Sequence, residues 1–141
     1  MWVTSQGENT VTKLRASDGV SLGVFAVGSQ PKAVIAHGVF VWVENFVGRS
    51  VTKLRADNGR VVGTFPVEAE SFALAHDGTN IWIGNFNSHR VRRFLASDGT
   101  PKKAYSVGVA PVDILFDGTA IWAANYGSAT VTKISRSSSA P

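Results

Sequence analysis

Trp2, Trp42, Trp82 and Trp122 are all the tryptophans of this chain, and they stand 40 residues apart in one register. A fixed step of that length is the signature of a repeat architecture, in which each repeat is one supersecondary unit that buries its apolar faces on its neighbours. Aligned on the tryptophans, residues 31–70 and 71–110 are whole repeats, 1–30 is one that starts late, and 111–134 is one that stops early. Residues 135–141 form a Ser-rich tail of linker composition.

Each whole repeat divides into four short segments, a to d, separated by turn chemistry. Segment a is apolar (Ala33–Ala36, Ala73–Ala75, Ile114–Phe116) and ends on His37-Gly38, Asp77-Gly78 or Asp117-Gly118, dipeptides that close tight hairpins. Segment b carries the tryptophan, as in Ile81-Trp82-Ile83. Segment c alternates with the period of a strand, as in Val51-Thr52-Lys53-Leu54 and Val131-Thr132-Lys133-Ile134, and closes on Asp18-Gly19, Asn58-Gly59 or Asp98-Gly99. Segment d follows, as in Val61–Val67. No stretch shows the 3.6-residue period of a helix.

Four strands in about 40 residues make one blade of a β-propeller. The predicted fold is therefore all-β, built from 40-residue four-stranded blades. With segment a missing from the first repeat and segment d from the last, the count is 14 strands, about three and a half blades per chain. Closed rings hold about 4 to 8 blades, and an open arc leaves edges and apolar faces that invite pairing. The expectation is a homo-oligomer, a dimer above others, that completes a ring; a repeat fragment of a larger propeller with no independent activity is the alternative.

Composition narrows the partners. Hydrophobic residues at 44% and charged residues at 17% fit a folded globular chain, and no apolar run nears the roughly 18 residues of a membrane span, so no membrane partner is expected. The N-terminus carries no basic-plus-apolar signal peptide. The absence of cysteine rules out disulfides and thiolate metal sites. The net charge of +4 is spread over every repeat. The densest basic stretch, His89, Arg90, Arg92 and Arg93, is split between two strand faces and has no interleaved aromatic platform, which disfavours nucleic acid.

The register Trp42-Val43-Glu44-Asn45, Trp82-Ile83-Gly84-Asn85 and Trp122-Ala123-Ala124-Asn125, followed by a Val-Thr-Lys-Leu strand and Asp-Gly, resembles the bacterial YVTN β-propeller repeats. It is also similar to the virginiamycin B lyase and NHL propeller groups. Ser5 replaces the asparagine in the first repeat, and tryptophan stands where the group name has tyrosine. The resemblance implies a ring of six or seven blades and an extracytoplasmic location; the residues themselves leave the compartment open.

Candidate site residues follow from loops that several blades present around one point. Asn45, Asn85 and Asn125 end segment b; as turn formers they are structural, and as a ring of amides they line a channel mouth. With Arg49 and His89 they form the expected site for a small-molecule or protein ligand. His37, His76 and His89 are the near-neutral acid-base candidates, but they occupy three different repeat positions. Asp18, Asp77, Asp98 and Asp117 all precede glycine and read as turn residues. Lys13, Lys53, Arg93 and Lys133 recur on segment c and read as solubilising charges.

No metal motif, phosphate loop or nucleophile elbow is present. The reading is a non-enzymatic binding or protein-interaction module without a cofactor. The resemblance supplies the enzymatic alternative, a virginiamycin B lyase-like enzyme using histidine and magnesium.

Overall fold

The computed structural model describes residues 1–68 and 70–135, so the Ser-rich tail beyond Ser135 lies outside the described residues. Those residues form 14 strands and no helix, hence none long and apolar enough to cross a membrane. β1 (Trp2–Ser5), β2 (Thr10–Leu14) and β3 (Ser21–Ala26) make the first sheet. β4 (Pro31–His37), β5 (Phe40–Asn45), β6 (Ser50–Arg55) and β7 (Val61–Pro66) make the second. β8 (Ser71–His76), β9 (Asn80–Asn85), β10 (Arg90–Leu95) and β11 (Pro101–Ser106) make the third, and β12 (Pro111–Phe116), β13 (Ala120–Asn125) and β14 (Thr130–Ser135) the fourth. Every sheet is an antiparallel meander, as the hairpin dipeptides require.

Those dipeptides work through backbone conformation. Gly38, Gly78 and Gly118 follow segment a with φ of 58°, 92° and 96°, and Gly19, Gly59 and Gly99 follow segment c with φ of 75°, 71° and 76°. All six lie where a Cβ is penalised. Ahead of the second set, Asp18, Asn58 and Asp98 each accept the N–H two residues on, at 3.1, 3.0 and 2.8 Å. The turn after segment b instead holds a non-glycine residue at positive φ, namely Asn9, Arg49, His89 and Ala129.

The chain divides into two compact units, Met1–Val67 and Glu68–Pro141, each with two sheets. In the first unit Trp2 and Val11 pack with Val41, Val43 and Leu54. In the second, Trp82 and Val91 pack with Ile114, Ile121, Ala123 and Ile134. The same repeat positions meet in both units. Tryptophan and the first valine of segment c lie on one face of a sheet and dock on the alternate residues of the sheet that follows, as period-2 alternation dictates.

Within its own sheet each tryptophan is covered by a cation, and three of the four by an aromatic ring as well. Its cross-strand neighbour is the recurring cation: Trp2 opposes Lys13, Trp42 opposes Lys53, Trp82 opposes Arg93 and Trp122 opposes Lys133. The cations sit over the indoles at 5.8, 5.2, 5.9 and 5.0 Å from the centroid. In three sheets an aromatic ring from the outermost strand adds to this: Phe25, Phe65 and Tyr105 lie 5.8, 5.7 and 5.5 Å from Trp2, Trp42 and Trp82. The cation register is therefore not simply a solubilising surface, since Lys53 is 1% exposed and Arg93 9%. Burial is tolerated because the indole face offsets part of the lost hydration.

Candidate functional site

Asn45, Asn85 and Asn125 close the second strand of their sheets and are 0%, 1% and 2% exposed. The Asn45 amide donates to Ser50 Oγ at 3.1 Å and Thr52 Oγ1 at 2.9 Å. Asn125 repeats the arrangement with Thr130 Oγ1 at 3.2 Å and Thr132 Oγ1 at 2.9 Å. Glycine seals both. A Cβ on Gly28 would lie 2.6 Å from Asn45 Cγ, and one on Gly108 would lie 2.7 Å from Asn125 Cγ. The asparagine thus pins the start of its own third strand and the connection arriving from the sheet before it.

The third sheet breaks this frame in a correlated way. At the register of Gly28 and Gly108 stands Glu68, and at that of Thr52 and Thr132 stands Arg92. The two new side chains form an ion pair with each other. Glu70 accepts from the Asn87 amide at 3.2 Å, while Phe72 and Phe86 stack with centroids 5.0 Å apart. One end of the third sheet therefore gathers two carboxylates, Arg92, Asn87 and His89 beside an aromatic pair. Glu68, Glu70, Asn87 and Arg92 did not emerge as site candidates from the sequence; the signal was the simultaneous loss of glycine and threonine at paired registers.

Arg49 and His89 are exposed, each at the positive-φ position of its turn. The Arg49 carbonyl accepts the Val67 N–H at 2.9 Å and the His89 carbonyl accepts the Val107 N–H at 3.1 Å. His89 Nδ1 lies 3.1 Å from the Ala110 N–H. Asn9, at the same register, accepts the Gln30 N–H through Oδ1 at 2.8 Å. His89 Nδ1 also lies 3.0 Å from the Phe86 carbonyl oxygen, so its tautomer decides whether it donates to that carbonyl or accepts the Ala110 N–H. His76 ends β8 beside Ile81 at the start of β9, whereas His89 follows the far end of β9, so these two histidines do not converge. His37 belongs to the other unit, at the repeat position of Asp77 and Asp117.

Those two aspartates do more than turn the chain. Asp77 Oδ2 accepts the Trp82 indole N–H at 2.9 Å, and Asp117 Oδ2 accepts that of Trp122 at 2.6 Å. Hydrogen bonds from Trp122, the Ala120 and Thr119 N–H groups and the Thr119 hydroxyl hold the Asp117 carboxyl far below the usual carboxylate range. Burial opposes ionisation at Asp77, but hydrogen bonds from Asn80, Trp82 and Thr79 outweigh it and also lower its pKa. Among the described residues no group of three or more His, Asp or Glu is placed to hold a metal ion.

No protein-family model matches the chain, and no curated protein is similar in sequence. Solved structures match it in fold. Hydrazine synthase of Kuenenia stuttgartiensis aligns over 97% of this chain and 43% of its own, at 19% identity and a TM-score of 0.87. Virginiamycin B lyase of Staphylococcus aureus aligns over 95% of this chain and 47% of its own, at 19% identity and a TM-score of 0.80. The computationally designed Ika4 protein aligns over 91% of this chain and 80% of its own, at 12% identity and a TM-score of 0.78. The chain spans under half the length of the two natural proteins. At these identities the likeness is one of fold, and the fold is that of β-propeller repeats, about three and a half blades of them.

Proposed function

We propose that the chain is a non-enzymatic binding and interaction module that associates with further copies of itself, a dimer above other assemblies. One apolar sheet face carries the reading. On the fourth sheet Leu115, Trp122, Ala124 and Val131 share a face and bound a depression of about 220 Å³. Leu115 is 63% and Val131 65% exposed, whereas Val11 and Val91, at the repeat position of Val131, are 0% exposed beneath the sheet that follows them. The first sheet carries the complementary residues: Met1, Val3 and Leu14 hold the repeat positions of Val41, Val43 and Leu54, and Met1 and Val3 are 64% and 44% exposed. A second copy's first sheet is the occupant that repeats the docking seen inside each unit. Exposed apolar surface of this kind marks an interaction site.

Light scattering coupled to size exclusion tests this. The mass is expected to rise above 15.0 kDa with concentration and to return to it in a Leu115→Glu, Val131→Glu double variant. A wild-type chain that stays at 15.0 kDa throughout overturns self-association.

The ligand, a small molecule or a protein segment, is proposed to meet the turns after the second strand, which expose Arg49 in the first unit and, separately, Asn87, His89 and Tyr126 in the second, at the ends of strands that close on buried asparagines. Variable tips on a rigid frame are where binding residues concentrate. Replacing Arg49 and His89 together with alanine is expected to weaken binding of whatever the module captures; unchanged binding overturns this choice of face. The lyase acting on virginiamycin B remains the alternative reading, and magnesium-dependent ring opening by the purified chain, lost on replacing its histidines, is the result that establishes it.

A further inference from the structure

We propose that Asn58 is a modification site, where the chain converts its own side-chain amide to a carboxylate through attack by the Gly59 backbone nitrogen. Asn45, Asn80, Asn85 and Asn125 are buried, which leaves Asn9, Asn58 and Asn87 as the exposed asparagines. Thr10 and Ser88 follow Asn9 and Asn87, whereas glycine follows Asn58. A glycine has no Cβ to keep its nitrogen away from the side-chain carbon of the residue before it. In the reaction the Gly59 nitrogen loses its proton and bonds to Asn58 Cγ, the Cγ–Nδ2 bond breaks, and the amide leaves as ammonia. Water then opens the five-membered succinimide at one of its two carbonyls. The product is aspartate or, where the main chain now runs through Cγ, isoaspartate. Water is the only co-reactant.

The turn between β6 and β7 governs both the rate and the product that the fold accepts. Asn58 stands at the register of Asp18 and Asp98, and all three side chains accept the N–H two residues on, from Arg60, Val20 and Thr100 respectively. Aspartate at this position is therefore what the other two copies of the turn already use, and it keeps the hydrogen bond from Arg60. The neighbouring Asp57 carboxylate is engaged by Arg55 at 2.9 Å, and Arg60 adds a second cation to the turn, so the new charge does not fall beside an unmatched one. Isoaspartate instead adds a carbon to the main chain just before Gly59. Gly59 has no room to shift: it is buried at φ 71°, and a Cβ on it would lie 2.1 Å from Phe25 Cε1, whose ring packs on Trp2. The native turn also engages both reacting groups. The Gly59 N–H donates to the Arg55 carbonyl at 2.9 Å, and Asn58 Oδ1 is held by the Arg60 N–H at 3.0 Å. Ring closure requires both bonds to be released, so it proceeds from the locally opened turn.

The full chain held at pH 8 and 37 °C, sampled over weeks and read by peptide mass mapping with separation of the isomers, tests the site against a synthetic peptide of residues 53–63. Conversion is expected at Asn58 before Asn9 or Asn87, and about ten- to a thousandfold more slowly than in the peptide, the reduction imposed by a turn that is closed most of the time. Conversion first at Asn9 or Asn87 overturns the site, and so does a folded chain slowed beyond that range. Conversion at the peptide's own rate overturns the guarding role of the turn. The accepted product is read from melting curves. Asn58→Asp is expected to melt with the wild type, and the separated isoaspartyl chain below it. An Asn58→Asp chain that melts as low as Asn58→Ala, or an isoaspartyl chain that melts with the wild type, overturns the assignment of aspartate as the product that the fold accepts.

Discussion

The second and fourth sheets place the same pair of residues in the same register, Trp42 opposite Lys53 and Trp122 opposite Lys133, yet only the first pair is buried. Trp42 and Lys53 are each 1% exposed, with Phe65 stacked on the indole and the ammonium 3.9 Å from the Phe40 centroid. Lys133 is exposed, and Trp122 is half-buried. Pairing across strands is a property of the sheet's own residues, because hairpin register decides it. Burial is a property of what covers the sheet. The repeat therefore encodes a pair that functions as core in one place and as an open surface in another, without any change to its residues.

The largest expected effect separates the two tryptophans. Trp42→Ala is expected to cost about 3–5 kcal/mol, the range for deleting a buried aromatic side chain, enough to unfold a marginally stable domain. Trp122→Ala is expected to cost about 1–2 kcal/mol, the scale of losing a partly buried aromatic side chain; the exposed Asp117 keeps its hydrogen bonds from Thr119 and Ala120. Guanidinium denaturation followed by circular dichroism measures both. Equal costs would break the comparison.

Much of this was legible in the sequence, for reasons that differ by residue. The tryptophan period and the glycine dipeptides are local signals, and they delivered the sheets and their turns. Segment a reads as starting at Ala33, whereas β4 starts at Pro31, because a register shift between Pro31 and Ala33 interrupts the alternation. Lys53 reads as a surface charge because its partner lies on another strand, and only register reveals that Trp42 is opposite. Asn45 reads as a turn residue; in the structure it is a buried donor to two hydroxyls five and seven residues on. Glu68 and Arg92 stand 24 residues apart, and neither residue type alone announces the other.

That ion pair gives the intermediate prediction, which compares the third sheet with its neighbours. Glu68→Gly or Arg92→Thr alone is expected to cost about 0.5 kcal/mol, since the two side chains are 48% and 23% exposed and solvent screens them. The double variant restores the glycine and hydroxyl found around Asn45 and Asn125, and is expected to match the wild type. A double-mutant cycle measures a coupling of about 0.5–1 kcal/mol if the two departures are one feature. Additive losses would mean that they arose independently.

The smallest effect concerns Asp117 beneath Trp122, and its sign follows from proton linkage. The folded state holds this carboxyl well below the ordinary value of 3.8, so folding favours its ionised form. Its contribution to stability is complete above the unfolded value, near pH 4, and fades as pH falls toward the folded value. Asp77 shifts in the same direction and adds to the same acid loss. Asp117→Asn is therefore expected to be less stable than the wild type at neutral pH, with a gap that narrows steadily below pH 4. Thermal melts between pH 7 and pH 2 read that gap directly. A gap constant with pH would mean that the indole N–H needs only an acceptor, and that the negative charge beneath Trp122 contributes nothing; at Asp77, which is 7% exposed, the same substitution separates charge from acceptor where water cannot replace either.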